Sequence, residues 1–313
     1  MRNRSSWIFL LAILFVSCSK SSFIEDVNRV PVITSDIDLF YGTLDRMIND
    51  GYYESIVQTD YFDRGSNGLK ALINKDKLKA KDFADYMHTH EQFFLSIRSY
   101  MMDQERYLSL TQEVLGKYDR TVPNSKYKPI YILIGYNIHG GTVTDEGVII
   151  EAQKNILGLS DISWGTFDSL SFSSYDDLDQ MIAHEQVHVM QPDMFIGESL
   201  LRLTLNEGIA DFIAYKVVGK KGYYESYEYG DQNFEVLKKE WTSDLNLPIK
   251  EVRSKWLFNW GKKKDRPYDM GYYMGFKIAE SYYEHNGRNA ENLGEMIYTE
   301  DFEALYERSG FID

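Results

Sequence analysis

Apolar residues recur at helical spacing over most of the chain. Between residues 36 and 118, Leu39, Leu44, Met47 and Ile48 share one face, and Phe83, Met87, Phe93, Phe94 and Ile97 another, so several helices are expected. Gly65 to Gly68 interrupts them. After a turn at Pro123 to Tyr127 the pattern changes. Ile130 to Gly135 is β-branched and apolar, and Val148 to Ile150 forms a second short strand. Gly140-Gly141 between them marks a tight turn or a close approach of another backbone. Helical spacing returns at Leu178, Met181, Ile182 and Val189, opened by a capping-box variant (Ser174 with Asp177) and closed by Pro192. A turn between Pro192 and Gly197 leads to a second, strongly apolar helix carrying Leu200, Leu201, Leu203, Ile209, Phe212, Ile213 and Val217. Tyr268 to Tyr283 reads as a further helix. The expected fold is α+β and mostly helical, with a small β-sheet beside the helix that begins near residue 178. Residues 36–313 form one unit: a helical lobe to about 125, a core to about 220, and a second helical lobe to the end.

Inside the apolar helix near 178 stands His184-Glu185-Gln186-Val187-His188. Residues four apart share a helix face, about 5–6 Å apart at Cβ. Two imidazoles at that spacing reach one zinc ion at about 2.0–2.1 Å. Glu185 sits about 100° round the helix, placed to touch a water on the metal and not to be a third ligand from the same face. Two unpaired polar rings in a buried helix would be costly, and a shared metal removes that cost.

The second apolar helix contains Asn206-Glu207-Gly208-Ile209-Ala210-Asp211. An acidic pair in such a segment needs partners. The 18 residues between His188 and Glu207 allow a reversing turn and a return along the first helix. Glu207 then completes two-His-one-Glu coordination with a fourth position open, the catalytic pattern. Asp211, one turn on, accepts a hydrogen bond from the far nitrogen of a ligating histidine, His184 being expected.

The arrangement H-E-x-x-H, then Glu, then Asp four later resembles the gluzincin group of metallopeptidases. The metzincin pattern fails, because Gln191 and Met194 stand where its glycine and third histidine would be. A large aminopeptidase family shares the spacing, but its Gly-x-Met-Glu-Asn signature is absent. Ile134-Gly135-Tyr136, Gly140-Gly141-Thr142 and Gly147 to Glu151 resemble the stretch upstream of the zinc helix in a bacterial family of predicted Zn-dependent proteases, and in GldB-like, gliding-motility-associated lipoproteins. Tyr61 to Leu69, Asp269 to Gly275 and Ser309-Gly310-Phe311 resemble the same group. The resemblance implies a zincin-like core, one Zn2+ per chain, Glu185 as general base and a peptide or protein substrate. It also implies an edge strand at Gly140, Gly141 and Thr142 that binds substrate main chain. A downstream donor should face the developing oxyanion. Tyr272 is taken for that role, with Tyr268, Tyr273 and Arg266 as alternatives. The gliding-motility likeness keeps a second reading open, a non-catalytic lipoprotein of a motility or secretion apparatus with a structural zinc.

The N-terminus changes the picture of location. Arg2 and Arg4, an apolar run from Trp7 to Val16, and Phe15-Val16-Ser17-Cys18 read as a signal peptide over 1–17 with a lipobox. The run is too short to span a bilayer. Cys18, the single cysteine, would carry the lipid, residues 18–35 would be a tether, and the chain would sit in the cell envelope, at the outer membrane of a Gram-negative bacterium. A net charge of −14 excludes a nucleic-acid-binding role, which needs a basic face. His88 and His90 do not share a helix face and are read as solvated. His139 is read as a loop histidine, and Lys262 to Arg266 as a solvated basic loop.

Overall fold

Two short strands far apart in sequence, β1 (Val32–Ile33) and β2 (Ile130–Leu133), pair in parallel and bracket the N-terminal helices. The computed structural model describes residues 23–169, 172–193, 197–222, 224–259 and 265–311. The expected signal peptide, Cys18, Met194 and Lys262 to Lys264 therefore lie outside the described residues.

Between β1 and β2 run α1 (Ser35–Asp50), α2 (Glu54–Ile56) continuing into a π-turn at Val57–Phe62, α3 (Asn67–Asp76), α4 (Ala80–Thr89), α5 (Glu91–Met101) and α6 (Gln104–Thr121). Their core is aromatic. The Phe40 ring meets Tyr41, Tyr61, Phe83 and Phe94 edge-on, with centroids 4.8–6.3 Å apart. The buried face of α1 is Ile37, Phe40, Tyr41, Leu44 and Met47, whereas Ile48, expected on it, is exposed. The 61–69 motif fixes where α3 starts. Ser66 accepts the Leu69 N–H at its head, and Asp36 accepts both the N–H and the hydroxyl of Ser66. Gly68 lies so close to Tyr131 that a Cβ there would meet the ring at 2.1 Å.

The sheet continues with β3 (Gly141–Val143) and β4 (Val148–Glu151), in the order β1-β2-β4-β3. β2 and β4 are parallel, and β3 pairs antiparallel with β4 along the sheet edge. Every residue of β2 and β4 is buried, because helices cover both faces. Thr142, Ile149 and Tyr131 are cross-strand neighbours on the face that α3 covers. Gly141 points the other way, toward α7 (Leu178–His188). A small parallel pair, β5 (Asn155–Leu157) and β6 (Ser173–Ser174), precedes α7.

α8 (Leu200–Val218) returns along α7; Ser199 caps its start, and Gly219 in the left-handed conformation ends it. The C-terminal lobe is α9 (Tyr224–Gln232), α10 (Phe234–Asp244), α11 (Ile249–Trp256), α12 (Met270–His285), α13 (Ala290–Tyr298) and α14 (Phe302–Arg308). The fold is mostly helical with a small sheet. No helix among the described residues is long and apolar enough to cross a membrane.

Three expectations change. The stretch from Ile24 to Ile33 is part of the fold, since Ile24 bridges to Tyr127 and β1 joins the sheet, so the expected tether is shorter than 18–35. Gly140-Gly141 opens the edge strand that the resemblance implies, and the atoms nearest the pair are side chains of α7, in place of a tight turn or another backbone. Ser174 caps a 3-10 turn (Tyr175–Asp177) by accepting the Asp176 N–H, and Asp177 makes no side-chain cap bond, so the expected capping box does not form.

Candidate metal centre and active site

The i, i+4 spacing on α7 brings His184 and His188 to one face, and α8 carries Glu207 opposite them. The Nε2 atoms of the two histidines are 3.0 Å apart, and each is 3.3 Å from Glu207 Oε2. All three side chains are largely buried.

Hydrogen bonding decides which ring nitrogens carry protons. His184 Nδ1 lies 2.7 Å from Asp211 Oδ1, an acceptor, so Nδ1 carries the hydrogen. Asp211 is fixed in turn by Gln180 Nε2 at 3.2 Å and the Tyr227 hydroxyl at 2.8 Å. His188 Nδ1 lies 2.6 Å from Gln191 Oε1, whose amide nitrogen donates to the Asn206 carbonyl at 2.9 Å. That pairing makes Oε1 the acceptor and puts the hydrogen on His188 Nδ1 as well. In the neutral rings both Nε2 atoms thus present lone pairs to each other and to a carboxylate oxygen.

Three acceptors within 3.3 Å repel unless a cation lies among them. Donors about 2.0–2.1 Å from a tetrahedral zinc lie about 3.3–3.4 Å from one another. The residues therefore fit a zinc ion. Electrostatics agree: burial opposes charge on His184, but bonds to Asp211 and Glu207 raise its pKa well above the ordinary value. Burial would raise Glu207, yet the two histidines hold it well below the usual carboxylate range. The pocket attracts positive charge.

Glu185 projects from α7 toward the sheet edge. A Cβ on Gly141 would come within 2.4 Å of its Cγ, so Gly141 is needed for the strand to lie on the helix, whereas one on Gly140 would meet only the flexible end of Met181, at 2.6 Å. Burial raises the Glu185 pKa, with Glu207 adding to it, while the two histidines and Lys75 oppose it. Thr142, next along β3, takes a short hydrogen bond from Lys75 Nζ.

Of the four oxyanion-donor candidates, the structure brings Tyr272 to the histidines. Its ring lies parallel to that of His184 (15° between planes), with centroids 6.1 Å apart. Tyr273 donates to Asp231 at 3.0 Å, and Arg266 donates to Glu240 at 2.8 Å while lying over Trp256, so both are engaged elsewhere. The Tyr268 carbonyl accepts from Ser226. Asp269 starts α12 in the left-handed conformation, tied reciprocally to Asn259, and burial first, with Glu207 and Asp211 adding to it, raises its pKa to about 6. His139 pairs with Asp76 at 3.0 Å and donates its backbone N–H to buried Glu151, pinning the loop before β3. His90 is half-buried and stacks on Phe167 at 3.9 Å, so it is not solvated as expected; His88 is exposed beside Tyr52.

Gln191, Tyr227, Gln180, Lys75 and Asp269 were not assigned roles from sequence. Gln191 carried a usable signal, since it lies three residues after a ligand-type histidine. Tyr227 and Lys75 carried none, being 16 residues from Asp211 and 67 from Thr142.

Residues 141–300, just over half of the chain, match the family described as predicted Zn-dependent protease (DUF2268). The chain belongs to that family. The match begins at the edge strand and takes in α7, α8 and α12, so it contains every residue of the cluster. No curated protein and no solved structure matches the chain.

Proposed function

We propose that this chain is a zinc metallopeptidase of the gluzincin type, with a zincin-like core, that hydrolyses peptide bonds in an extended peptide or protein segment. The observation that carries the reading is the convergence of three ligand-type atoms, on His184, His188 and Glu207, with a buried carboxylate and a strand at the sheet edge beside them.

Zinc held by those three side chains would supply a Lewis acid, polarising the attacked carbonyl and lowering the pKa of water toward about 7. Asp211, braced by Tyr227 and Gln180, and Gln191, braced by the Asn206 carbonyl, keep the two imidazoles in the tautomer that can ligate. Glu185 takes the proton of the attacking water and passes it to the leaving nitrogen; its raised pKa strengthens it as a base. Tyr272 is assigned to donate to the oxyanion.

Substrate alignment follows from the ladder. Glu151 N–H donates to the Gly140 carbonyl, and Thr144 N–H to the Gly147 carbonyl, so residues 140, 142 and 144 turn their polar groups toward β4. In an antiparallel pair the alternate residues face away, so Gly141 and Val143 offer N–H and C=O to an added strand. The lipobox reading adds a lipid on Cys18 holding the enzyme in the cell envelope, at the outer membrane.

Cleavage of a broad peptide library by zinc-loaded protein tests the reading. Glu185→Gln should lower hydrolysis by about 10²–10⁴-fold while zinc stays bound. A wild type that cleaves no peptide, or an equally active Glu185→Gln variant, would contradict it.

A further inference from the structure

A cleft of about 510 Å³ lies between α3 and the β3–β4 hairpin, on the side of the sheet edge away from α7. Its helical wall is Asn67, Lys70, Ala71, Asn74 and Lys75. These positions follow the i, i+3, i+4, i+7, i+8 pattern, which is one face of a helix. The other wall is Val143 to Glu146. The cleft meets the active site at Lys75, whose ammonium bonds to Thr142 and whose charge acts on Glu185.

Strand geometry says what enters it. A peptide added to the edge of β3 alternates its side chains between the two faces of the sheet. Those on the α7 face lie over the metal centre with Gly141. Those on the α3 face lie beside Thr142, in front of Lys75. Neither Lys70 nor Lys75 forms a salt bridge among the described residues, although the protein carries 48 acidic against 34 basic residues. The Lys75 ammonium, bonded to a hydroxyl and to no carboxylate among the described residues, is placed to meet an incoming anion. Asp145 and Glu146, in the turn that joins β3 to β4, line the cleft beyond Val143 and Thr144. Lys75 thus stands at the Thr142 end of the cleft, and the two carboxylates stand at its turn end.

We propose that Lys75 is a specificity-determining residue that receives an acidic side chain of the substrate, Asp or Glu, on the α3 face of the peptide beside the scissile bond. The inference rests on the peptidase reading. It names the substrate class, peptides with an acidic residue next to the cleavage point. It also draws that preference from α3, outside the segment the family match covers.

Two measurements on the full chain test it. The first is a positional peptide library cleaved by zinc-loaded wild type, Lys75→Met and Lys75→Glu. Wild type should favour Glu over Lys at one flanking position by about two- to fivefold, as expected of an exposed ion pair. The preference should weaken with added salt, vanish in Lys75→Met and turn toward Lys in Lys75→Glu. The second is fluorescence anisotropy of labelled Glu- and Lys-containing peptides on the Glu185→Gln protein with and without Lys75→Glu, which reads binding without turnover. The same inversion of the ranking is expected. Cleavage without acidic preference, or a ranking unchanged by Lys75→Glu, overturns the role of Lys75 and leaves the peptidase reading standing. If no peptide is cleaved, the peptidase reading falls, and the anisotropy ranking alone decides whether Lys75 selects acidic peptides.

Discussion

At the residue scale the site is a set of bonds that fix protons. Each imidazole is held through Nδ1, by Asp211 or Gln191, and that leaves Nε2 bare. His184, His188, Glu207 and Asp211 could be read from spacing alone, because one helix turn separates each pair and buried polar groups demand partners. The choice among tyrosines could not. Tyr272 and Tyr273 are adjacent in sequence, and only the rotation of α12 sends one ring to His184 and the other hydroxyl to Asp231. Tyr272→Phe should lower kcat by about 10²–10³-fold with little change in KM, as for loss of an oxyanion donor. Steady-state kinetics on a cleaved peptide check this, and an equal rise in KM with constant kcat would reassign Tyr272 to binding.

Among the elements, the closest approach is the crossing of α8 and α12. A Cβ on Gly275 would stand 1.9 Å from the Thr204 carbonyl oxygen, and one on Gly208 2.1 Å from the Gly275 backbone. The two backbones touch, and this sets the distance from Glu207, beside Gly208, to Tyr272, one turn before Phe276. Gly275→Ala should cost about 1–3 kcal/mol or more, since backbone and not a flexible side chain must move. Urea denaturation reads the loss, and hydrolysis should fall further than stability explains because Tyr272 shifts. A variant as stable and as active as wild type would show that the crossing has slack. Sequence showed two glycines but not that they meet. Periodicity did not show β3 either, whose three residues are too few and too glycine-rich for a strand pattern; only the family resemblance implied an edge strand there. What remained legible was a close approach at Gly140-Gly141, made by the side chains of Met181 and Glu185 and not by another backbone.

For the whole molecule, the helical lobe and the sheet are joined through buried polar groups near the ends of β2 and β4. Tyr61 donates to the Ile134 carbonyl at 2.5 Å, and Glu151 accepts the N–H groups of Asn137 and His139. Lys154, just beyond β4, lies over the Phe172 ring at 5.1 Å, and burial lowers its pKa from 10.5 to about 8 against the pull of Glu151. Between pH 8 and 10.5 the unfolded chain holds a proton that the folded chain has released, so stability from this group rises with pH there. Lys154→Met should therefore melt higher than wild type at pH 7, with the gap closing toward pH 10; a constant gap would contradict the assignment to burial. The class of the fold and the two-helix site were readable from periodicity. The inclusion of residues 24–33 was not, since β1 is two residues long and pairs with a strand about a hundred residues away. The account rests on zinc at His184, His188 and Glu207, and metal analysis of the purified chain tests that most directly. It should find one zinc per chain in wild type and in Glu185→Gln, and far less in Glu207→Ala. Wild-type protein without zinc, or Glu207→Ala with a full complement, would contradict it.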